Sequence, residues 1–388
     1  MRPISRTVIP KGAVIAINDM LENCAGLQPG QEVLILAEIE DIYGKDWSVD
    51  ETAISWIQQA VQMKGGRASI LWIDEPPVPH TWRFPPVVKA AMRGCDILIN
   101  HSANLVTEEM VEFRAFADEQ KVKMIRNFAS TAPLLCSYWA QTPYELVSEI
   151  RYQASAMITP DSPFTLTDEN GTHLEGTVIN PNRREGVPGA PYMTRRDEVS
   201  YYFPWPEWLH TQVHIINTSG LFIFDRMLSW WSRYIGISPY FDDPVKLIIE
   251  NNRITGIEGK KEATALKKFL VEMSGRVGDG VWDFSAFHFG VHPQAIIAPH
   301  QCPNTLQRRT IEHCHSSNLH AHIGAPPPTR EYPYWMHITG DIRQPTLKIG
   351  NTFMHISGHL TALDSPAVKE VAEKYPGRPG LGPMPVCF

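Results

Sequence analysis

The sequence lacks the features that would place it in a membrane or outside the cell. It has no run of about 18 apolar residues and no N-terminal apolar segment with a small-residue cleavage site. Its six cysteines form no C-x-x-C pair, so neither a disulfide framework nor a paired-cysteine zinc site is expected. We therefore expect a cytoplasmic protein.

An excess of charge of one sign is also missing. The chain has 35 basic and 42 acidic residues, a net charge of -7, without long runs of one sign. No basic surface for nucleic acid or for an anionic membrane is therefore expected. The 388 residues, of which 43% are hydrophobic, are typical of a globular protein with more than one domain. A small molecule is the expected partner.

The first part of the chain alternates between short apolar runs and longer amphipathic stretches. Strands are expected at residues 33–39, 68–73, 96–101 and 123–128, and helices at about 49–64, 86–93, 107–120 and 144–157. The strand runs are short, apolar and flanked by Gly, Asp or Lys. This alternation predicts an α/β domain over residues 1–160, with a parallel sheet covered by helices on both faces.

The pattern changes at the turn-forming run T-P-D-S-P, residues 159–163. Beyond it, the apolar runs are shorter and richer in residues that favour strands. A hairpin is expected to turn at Asn251 and Asn252, and one clear helix is expected at residues 260–273. We predict a second, mainly β, α+β domain over residues 161–388.

Histidine is concentrated near the C-terminal end. Ten of the fifteen histidines lie between His288 and His359. Imidazole binds Zn, Fe, Cu and Ni and titrates near neutral pH, so this concentration indicates a metal centre or acid/base chemistry. The alternative is a set of ordinary core and surface histidines. Without an H-E-x-x-H motif, ligands would come from separate segments, where the pairs 313/315 and 320/322 could each share one face of a strand.

A second candidate site lies within residues 195–214. Glu198 precedes an aromatic run that includes Tyr202 and Trp205, and His210 and His214 follow it. Aromatic side chains beside a carboxylate and two imidazoles suit a flat polar ring, because stacking supplies contact area while the polar groups orient and deprotonate. Tyr202 and Trp205 are therefore candidate substrate contacts. The alternative is a Pro-bent apolar segment at a domain interface.

Four stretches resemble, in order, motifs of the aminopeptidase T-like family of metallopeptidases. They are the segment from G-T-H-L-E-G-T to S-Y-Y-F-P, then F-H-F-G-V-H-P-Q-A, N-L-H-A-H-I-G-A and Y-W-M-H-I-T-G-D, within roughly residues 170–350. The resemblance implies the aminopeptidase T-like fold, in which an α/β domain precedes a metal-binding domain.

Within that superfamily the chain more closely resembles the 2,5-dihydroxypyridine 5,6-dioxygenases, non-haem iron enzymes that open a pyridine ring. His288 stands where the peptidases have a glutamate ligand, and Glu198 is followed twelve residues later by His210. The resemblance implies that His288 and His337 bind iron. It also implies that Glu198, His210 and His214 form an acid/base trio.

The third iron ligand departs from the family pattern H-x-D, because Thr339 follows His337 at the position of the carboxylate. Asp341 could replace it if Gly340 lets the strand bulge. Otherwise His320, at the position of a ligand histidine of the peptidases, would complete a three-histidine site. Such ligands accept Mn or Zn as well as Fe(II).

These observations predict an Fe(II)-dependent dioxygenase that opens a small hydroxylated aromatic or N-heterocyclic ring with O2. A metal-dependent aminopeptidase or another hydrolase is the alternative enzyme. A metal-free binding protein on the same fold is the alternative from another class. A homo-oligomer is expected. The proline-rich tail, E-K-Y-P-G-R-P-G-L-G-P-M-P-V-C-F, is suited to extending over a neighbouring subunit, and the alternative is an unattached terminus.

Overall fold

The computed structural model describes residues 8–38, 49–73, 85–101, 111–179, 202–206, 213–324, 336 and 338–382. The strands are β1 (Glu32–Glu38), β2 (Arg67–Ile73), β3 (Ile97–Asn100), β4 (Lys123–Asn127), β5 (Pro163–Thr167), β6 (His173–Val178), β7 (Tyr202–Trp205), β8 (Val213–Met227), β9 (Tyr240–Glu250), β10 (Arg253–Glu258), β11 (Phe284–Phe289), β12 (Asn318–Ile323), β13 (Ile338–Arg343), β14 (Thr346–Ile349), β15 (Thr352–Ile356) and β16 (His359–Leu360). The helices are α1 (Lys11–Asp19), α2 (Glu51–Met63), α3 (Pro86–Met92), α4 (Val111–Gln120), α5 (Ala132–Leu135), α6 (Tyr138–Gln141), α7 (Tyr144–Ala156), α8 (Ser229–Ile235), α9 (Lys261–Val277), α10 (Thr305–Glu312) and α11 (Pro366–Glu373).

A five-stranded sheet in the order β2-β1-β3-β4-β7 has only parallel pairings. Its central strands are buried on both faces: Leu34 and Leu36 pack with α3, α4 and α7 in one core, while Ile35 packs with α1 and α2 in the other. Continuous apolar runs are typical of such doubly covered strands. The four strands and the parallel sheet predicted from the sequence are confirmed.

The fifth strand of the parallel sheet comes from beyond the predicted domain boundary. Strand β7 pairs with β4, with Trp205 opposite Asn127, and Trp205 is 1% exposed within the core around α1 and α2. Residues of the later chain, including Ala295 and Cys314, pack in that same core. The division at residue 160 stays a prediction, and the two sheets share cores across it.

Among the described residues, the second sheet has eleven strands, and their pairings are antiparallel. The predicted hairpin is β9–β10, and both turn residues, Asn251 and Asn252, have positive φ angles of 47° and 65°. Asparagine tolerates this left-handed conformation better than most residues. The predicted helix at 260–273 is α9. A parallel sheet followed by a larger antiparallel sheet agrees with the predicted fold class.

Strand β8 hydrogen-bonds at its beginning to β11 and at its end to β13, and β12 pairs with both of those strands. Strands β8, β11, β12 and β13 therefore form a closed ring. Ring closure removes free edges between these strands, and it fixes their register from both sides. This ring carries the candidate site.

The tail up to residue 382 packs against its own chain. Arg378 donates to the carbonyl of Gln141 at 2.9 and 2.6 Å and lies 3.3 Å from the carboxylate of Asp19. Gln294, after β11, donates to the carbonyl of Gly380 at 2.8 Å. The homo-oligomer expected from this tail stays a prediction. No helix among the described residues is long and apolar enough to cross a membrane.

A buried histidine lies at the carboxyl end of the parallel strand β3. His101, directly after β3, has Nδ1 3.1 Å from Ser130 Oγ and Nε2 3.5 Å from Asn127 Nδ2. Burial lowers the pKa of His101 from 6.5 to about 3. Between about pH 6.5 and pH 3, His101 is therefore neutral in the folded protein, whereas it is protonated in the unfolded chain.

We expect the free energy of unfolding to fall as the pH drops below about 6.5. In this range His101 becomes protonated in the unfolded state, whereas in the folded state it stays neutral down to about pH 3. At pH 5 this loss is roughly 2 kcal/mol relative to pH 7. Urea unfolding of His101→Asn at both pH values should show a pH dependence smaller by that amount. An unchanged pH dependence would contradict the prediction, whatever the stability of the variant at pH 7.

Candidate metal centre

Three adjacent strands bring histidines and an aspartate into one row. In the antiparallel pairings, His288 on β11 lies opposite His320 on β12, and His320 lies opposite Asp341 on β13. His322, two residues along β12, lies opposite Thr339. Directly opposed residues share one face of a sheet, as do residues two apart. These side chains therefore lie on one polar face, which we call the histidine face.

The opposite face of the same strands is apolar. Phe287 and Ala321 are each 1% exposed, and they alternate with the residues of the histidine face. A side chain at Gly340 would place its Cβ 2.8 Å from the rings of Phe222 and Phe224. Glycine is therefore required there for close packing, and a one-residue slip of β12 would exchange histidines for core residues.

Two groups of potential ligand atoms lie on the histidine face. One comprises His288, His320 and His322, and the other comprises His313, His320 and Asp341. Within each group the ligand atoms lie within 4.8 Å of one another, and all five residues are buried. His320 belongs to both groups. The described residues thus offer a purely imidazole set and an adjoining set with one carboxylate.

The imidazole rings are packed against each other. The ring centroids of His288 lie 4.9 Å from His320 and 4.5 Å from His322. The His313 ring stacks on His320 at 3.8 Å. Such close approach disfavours several simultaneous positive charges, so neutral imidazoles, the form that binds metal, suit this packing.

Asp341 accepts three hydrogen bonds and forms one ion pair. Its Oδ2 lies 2.5 Å from Arg309 Nη2 and 2.5 Å from His313 Nδ1, and it accepts from Asn318 Nδ2 at 2.9 Å. Its Oδ1 accepts from Thr339 Oγ1 at 2.9 Å. Burial alone would raise the pKa of Asp341, but Arg309 and then His313 hold that pKa well below its usual range. The side chain is a buried carboxylate anion.

Helix α10 supplies the positive charge beside this carboxylate. Asn304 caps the helix by accepting from the backbone N–H of Gln307 at 3.0 Å, and Arg309 is completely buried. The Arg309 guanidinium also lies 6.0 Å from the ring centroid of Tyr240, whose hydroxyl donates to Glu312 at 2.5 Å. Arg309 and Asp341 therefore form a buried ion pair.

The bulge expected at Gly340 is wrong, because the pairing of β12 with β13 is continuous from Asn318 opposite Arg343 to Ile323 opposite Ile338. Asp341 reaches the histidine face through ordinary cross-strand pairing with His320. Its role as a ligand stays a prediction.

Of the two histidine pairs expected on strand faces, the pair 320/322 is confirmed. The two rings lie on β12 at 5.6 Å and are nearly parallel. The pair 313/315 is wrong as a strand pair, because His313 directly follows α10 as its C-cap residue. His315 instead has its Nδ1 2.7 Å from Ser317 Oγ in the turn before β12.

The remaining predicted site residues are distributed as follows. His214, on β8, is buried and lies opposite Ala286, two residues before His288, so it shares the histidine face. Trp205 lies in the core of the parallel sheet, and the backbone of Tyr202 begins β7. The predicted site residues Glu198, His210 and His337 lie outside the described residues. None of these roles is tested by the geometry.

Two contributors to the site, Arg309 and Asn318, carry no signal in the sequence. Arg309 is one of two consecutive arginines in a polar helix, and Asn318 only begins a strand. His313 and His322 are marked by the histidine-rich region, but their partners are set by tertiary contacts.

No protein-family model matches the sequence, and no curated protein matches it. Among solved structures, the fold is similar to that of 2,5-dihydroxypyridine dioxygenase from Pseudomonas putida, with a TM-score of 0.61, 12% identity, and coverage of 90% of this chain and 98% of that chain. Wild-type AmpT from Thermus thermophilus is similar over the same shares, with a TM-score of 0.49 and 10% identity.

The similarity to the Pseudomonas putida structure, at 12% identity, supports a shared fold. The relationship in fold that the order of motifs predicted is therefore confirmed. The dioxygenase activity belongs to the Pseudomonas putida protein. A shared fold does not by itself imply a shared activity.

Proposed function

We propose that the protein is a metal-dependent enzyme whose ion is held by His288, His320 and His322, and that it opens small hydroxylated aromatic or N-heterocyclic rings with O2. The observation that carries the proposal is the convergence of three buried imidazoles within 4.8 Å. Three imidazole nitrogens that converge in this way form a ligand set for one transition metal ion.

The donor set fits a single first-row transition metal ion. Imidazole nitrogen suits Fe, Zn, Cu and Ni, whereas Mg and Ca prefer oxygen ligands. Three protein ligands from two adjacent strands leave the opposite side of the ion open to small molecules. When bound, Fe(II) would supply the one-electron chemistry that dioxygen needs to react with a closed-shell ring. Mn and Zn are compatible with the same ligands.

The polypeptide would bind and deprotonate the substrate. His214 lies on the histidine face beside β11, and we propose that it acts with Glu198 and His210 in taking the proton of a ring hydroxyl. A base with a pKa near the working pH performs this step best. We also propose His337, directly before β13, as a further ligand or substrate contact, and Tyr202 and Trp205 as contributors to the aromatic surroundings.

A metal-dependent hydrolase of the aminopeptidase type is the second candidate. The observation that favours it is the second group, because His313 and Asp341 together with the shared His320 offer an adjoining position that includes a carboxylate. Paired metal ions a few ångströms apart are typical of many hydrolases. The ion pair between Asp341 and Arg309 argues against two ions, since the carboxylate is already neutralised.

Metal content and oxygen uptake together test the function. We expect one iron per chain after anaerobic purification with Fe(II), and oxygen consumption with a dihydroxypyridine, an aminophenol or a hydroquinone. The measurements are elemental analysis and an oxygen electrode. Two zinc or cobalt ions per chain with release of amino acids from peptides would favour the hydrolase. Absence of any bound metal would exclude both enzymes and leave a binding protein.

A further inference from the structure

The two groups of ligand atoms raise the question of how many ions the histidine face holds. They share His320 and adjoin each other, so on ligand atoms alone a pair of ions could be bound. The second group, His313, His320 and Asp341, differs from the first in having a cation beside it. The guanidinium of Arg309 lies 2.5 Å from the carboxylate of Asp341. A fixed positive charge therefore stands at the second group and contacts its only carboxylate.

We propose that Arg309 acts as a built-in cation that occupies the second metal position and restricts the centre to one ion. This inference rests on the proposed function, because it requires a metal at the three histidines. It goes further by assigning the number of ions to one residue of helix α10. It places Asp341 outside the ligand set, as the counter-charge of Arg309.

The hydrogen bonds of Asp341 support this assignment. Each carboxylate oxygen has about two lone-pair positions. Asp341 Oδ2 already accepts from His313 and Asn318 and lies in ion-pair contact with Arg309, while Oδ1 accepts from Thr339. A metal ion on Oδ2 would have to displace at least one of these partners. It would also lie within a few ångströms of the guanidinium, where two positive charges repel strongly in a buried site.

The surroundings of Arg309 prevent it from moving aside. Its side chain has 0% exposure, so it has no direct path to solvent. The ring centroid of Tyr240 lies 6.0 Å from the Arg309 guanidinium, and the Tyr240 hydroxyl donates to Glu312 in the same helix. Arginine cannot lose its proton in a protein, so the positive charge is permanent. The positive charge that Arg309 places beside Asp341 therefore does not depend on pH.

Replacing Arg309 by methionine tests the inference. Methionine is unbranched, favours helices and removes the charge. We expect the wild-type protein to bind one Co(II) per chain and Arg309→Met to bind two, because the freed Asp341 carboxylate completes the second group. Equilibrium dialysis followed by elemental analysis counts the ions, and Co(II) absorption reports the added ligand set independently of any activity.

Two matched variants separate the charge from the shape. Arg309→Lys retains the positive charge and should still bind one ion. Arg309→Met combined with Asp341→Asn removes both charges of the pair and should also bind one ion. One ion in folded Arg309→Met, or two in the wild-type protein, would overturn the inference.

The remaining outcomes are also decisive. No ion in the wild-type protein would refute the proposed function itself, whereas one ion in both proteins refutes only the role of Arg309. Removing one partner of a buried ion pair is strongly destabilising, so Arg309→Met could be unfolded without metal. In that case two equivalents of Co(II) should restore its circular dichroism, and a failure to restore it would count against the inference.

Discussion

Replacing His320 by alanine is expected to abolish metal binding and turnover while the fold persists. His320 belongs to both groups of ligand atoms, so its loss breaks either arrangement of the centre. Removing even an outer partner of a metal ligand typically lowers metal affinity by about 10- to 100-fold, and loss of a ligand should exceed that. Elemental analysis and circular dichroism of the purified variant provide the measurement.

His355→Ala is the matched control, because it also removes a completely buried histidine. His355 lies 3.2 Å from the carbonyl oxygen of Ser316 and packs against Phe289, but it belongs to neither group of ligand atoms. This variant should lose stability and retain its metal. Full metal occupancy in His320→Ala would remove that residue from the ligand set, and equal metal loss in both variants would indicate a general effect of unfolding.

Gly290→Ala is expected to destabilise the protein severely and to weaken metal binding as well. A Cβ at Gly290 would lie 2.1 Å from the carbonyl oxygen of His315 and 2.3 Å from that of Cys314. These are backbone atoms, so neither can rotate away. The β11 segment that carries His288 would have to separate from the segment after His313. We expect a cost at or above the roughly 1–3 kcal/mol usual for overpacking, measured as a lower midpoint of urea unfolding.

The same substitution at Gly275 provides the control. Gly275 lies in α9, and a Cβ there would contact nothing within 4 Å. Alanine favours helices over glycine by about 0.5–1 kcal/mol, so Gly275→Ala should leave the protein as stable or more stable. The two Gly→Ala variants should therefore differ in sign. If Gly290→Ala unfolded at the same urea concentration as the wild type, the close contact with His315 would be wrong.

The parallel sheet could be predicted from the sequence because its strands are buried on both faces. Runs such as that of β1 are apolar throughout, and glycine or charged residues bound them, so local pattern suffices. Strand β7 could not be predicted in this way. It follows a long connection and contains Pro204, and its pairing with β4 is decided by contacts between segments far apart in the chain.

The histidine face shows a similar division. The two-residue spacing of His320 and His322 is enough to place both on one side of a strand. Which strands stand beside them depends on sheet register, which is a tertiary property. The alignment of His288 and Asp341 with His320 therefore appears only in three dimensions. Arg309 is hidden for the same reason, because its partner lies on another element.

Strand β7 comes much later in the sequence than the other strands of the parallel sheet. This position affects how the chain folds and where it can be divided into fragments. Until β7 is added, one edge of β4 has no strand partner, and exposed edges promote association between chains. Pairing between distant segments is slow to form, because a long loop must first be closed. A fragment that ended at residue 160 would keep this edge permanently open and would lack Trp205 in its core. Expression trials that aim at the parallel sheet alone should therefore extend through β7.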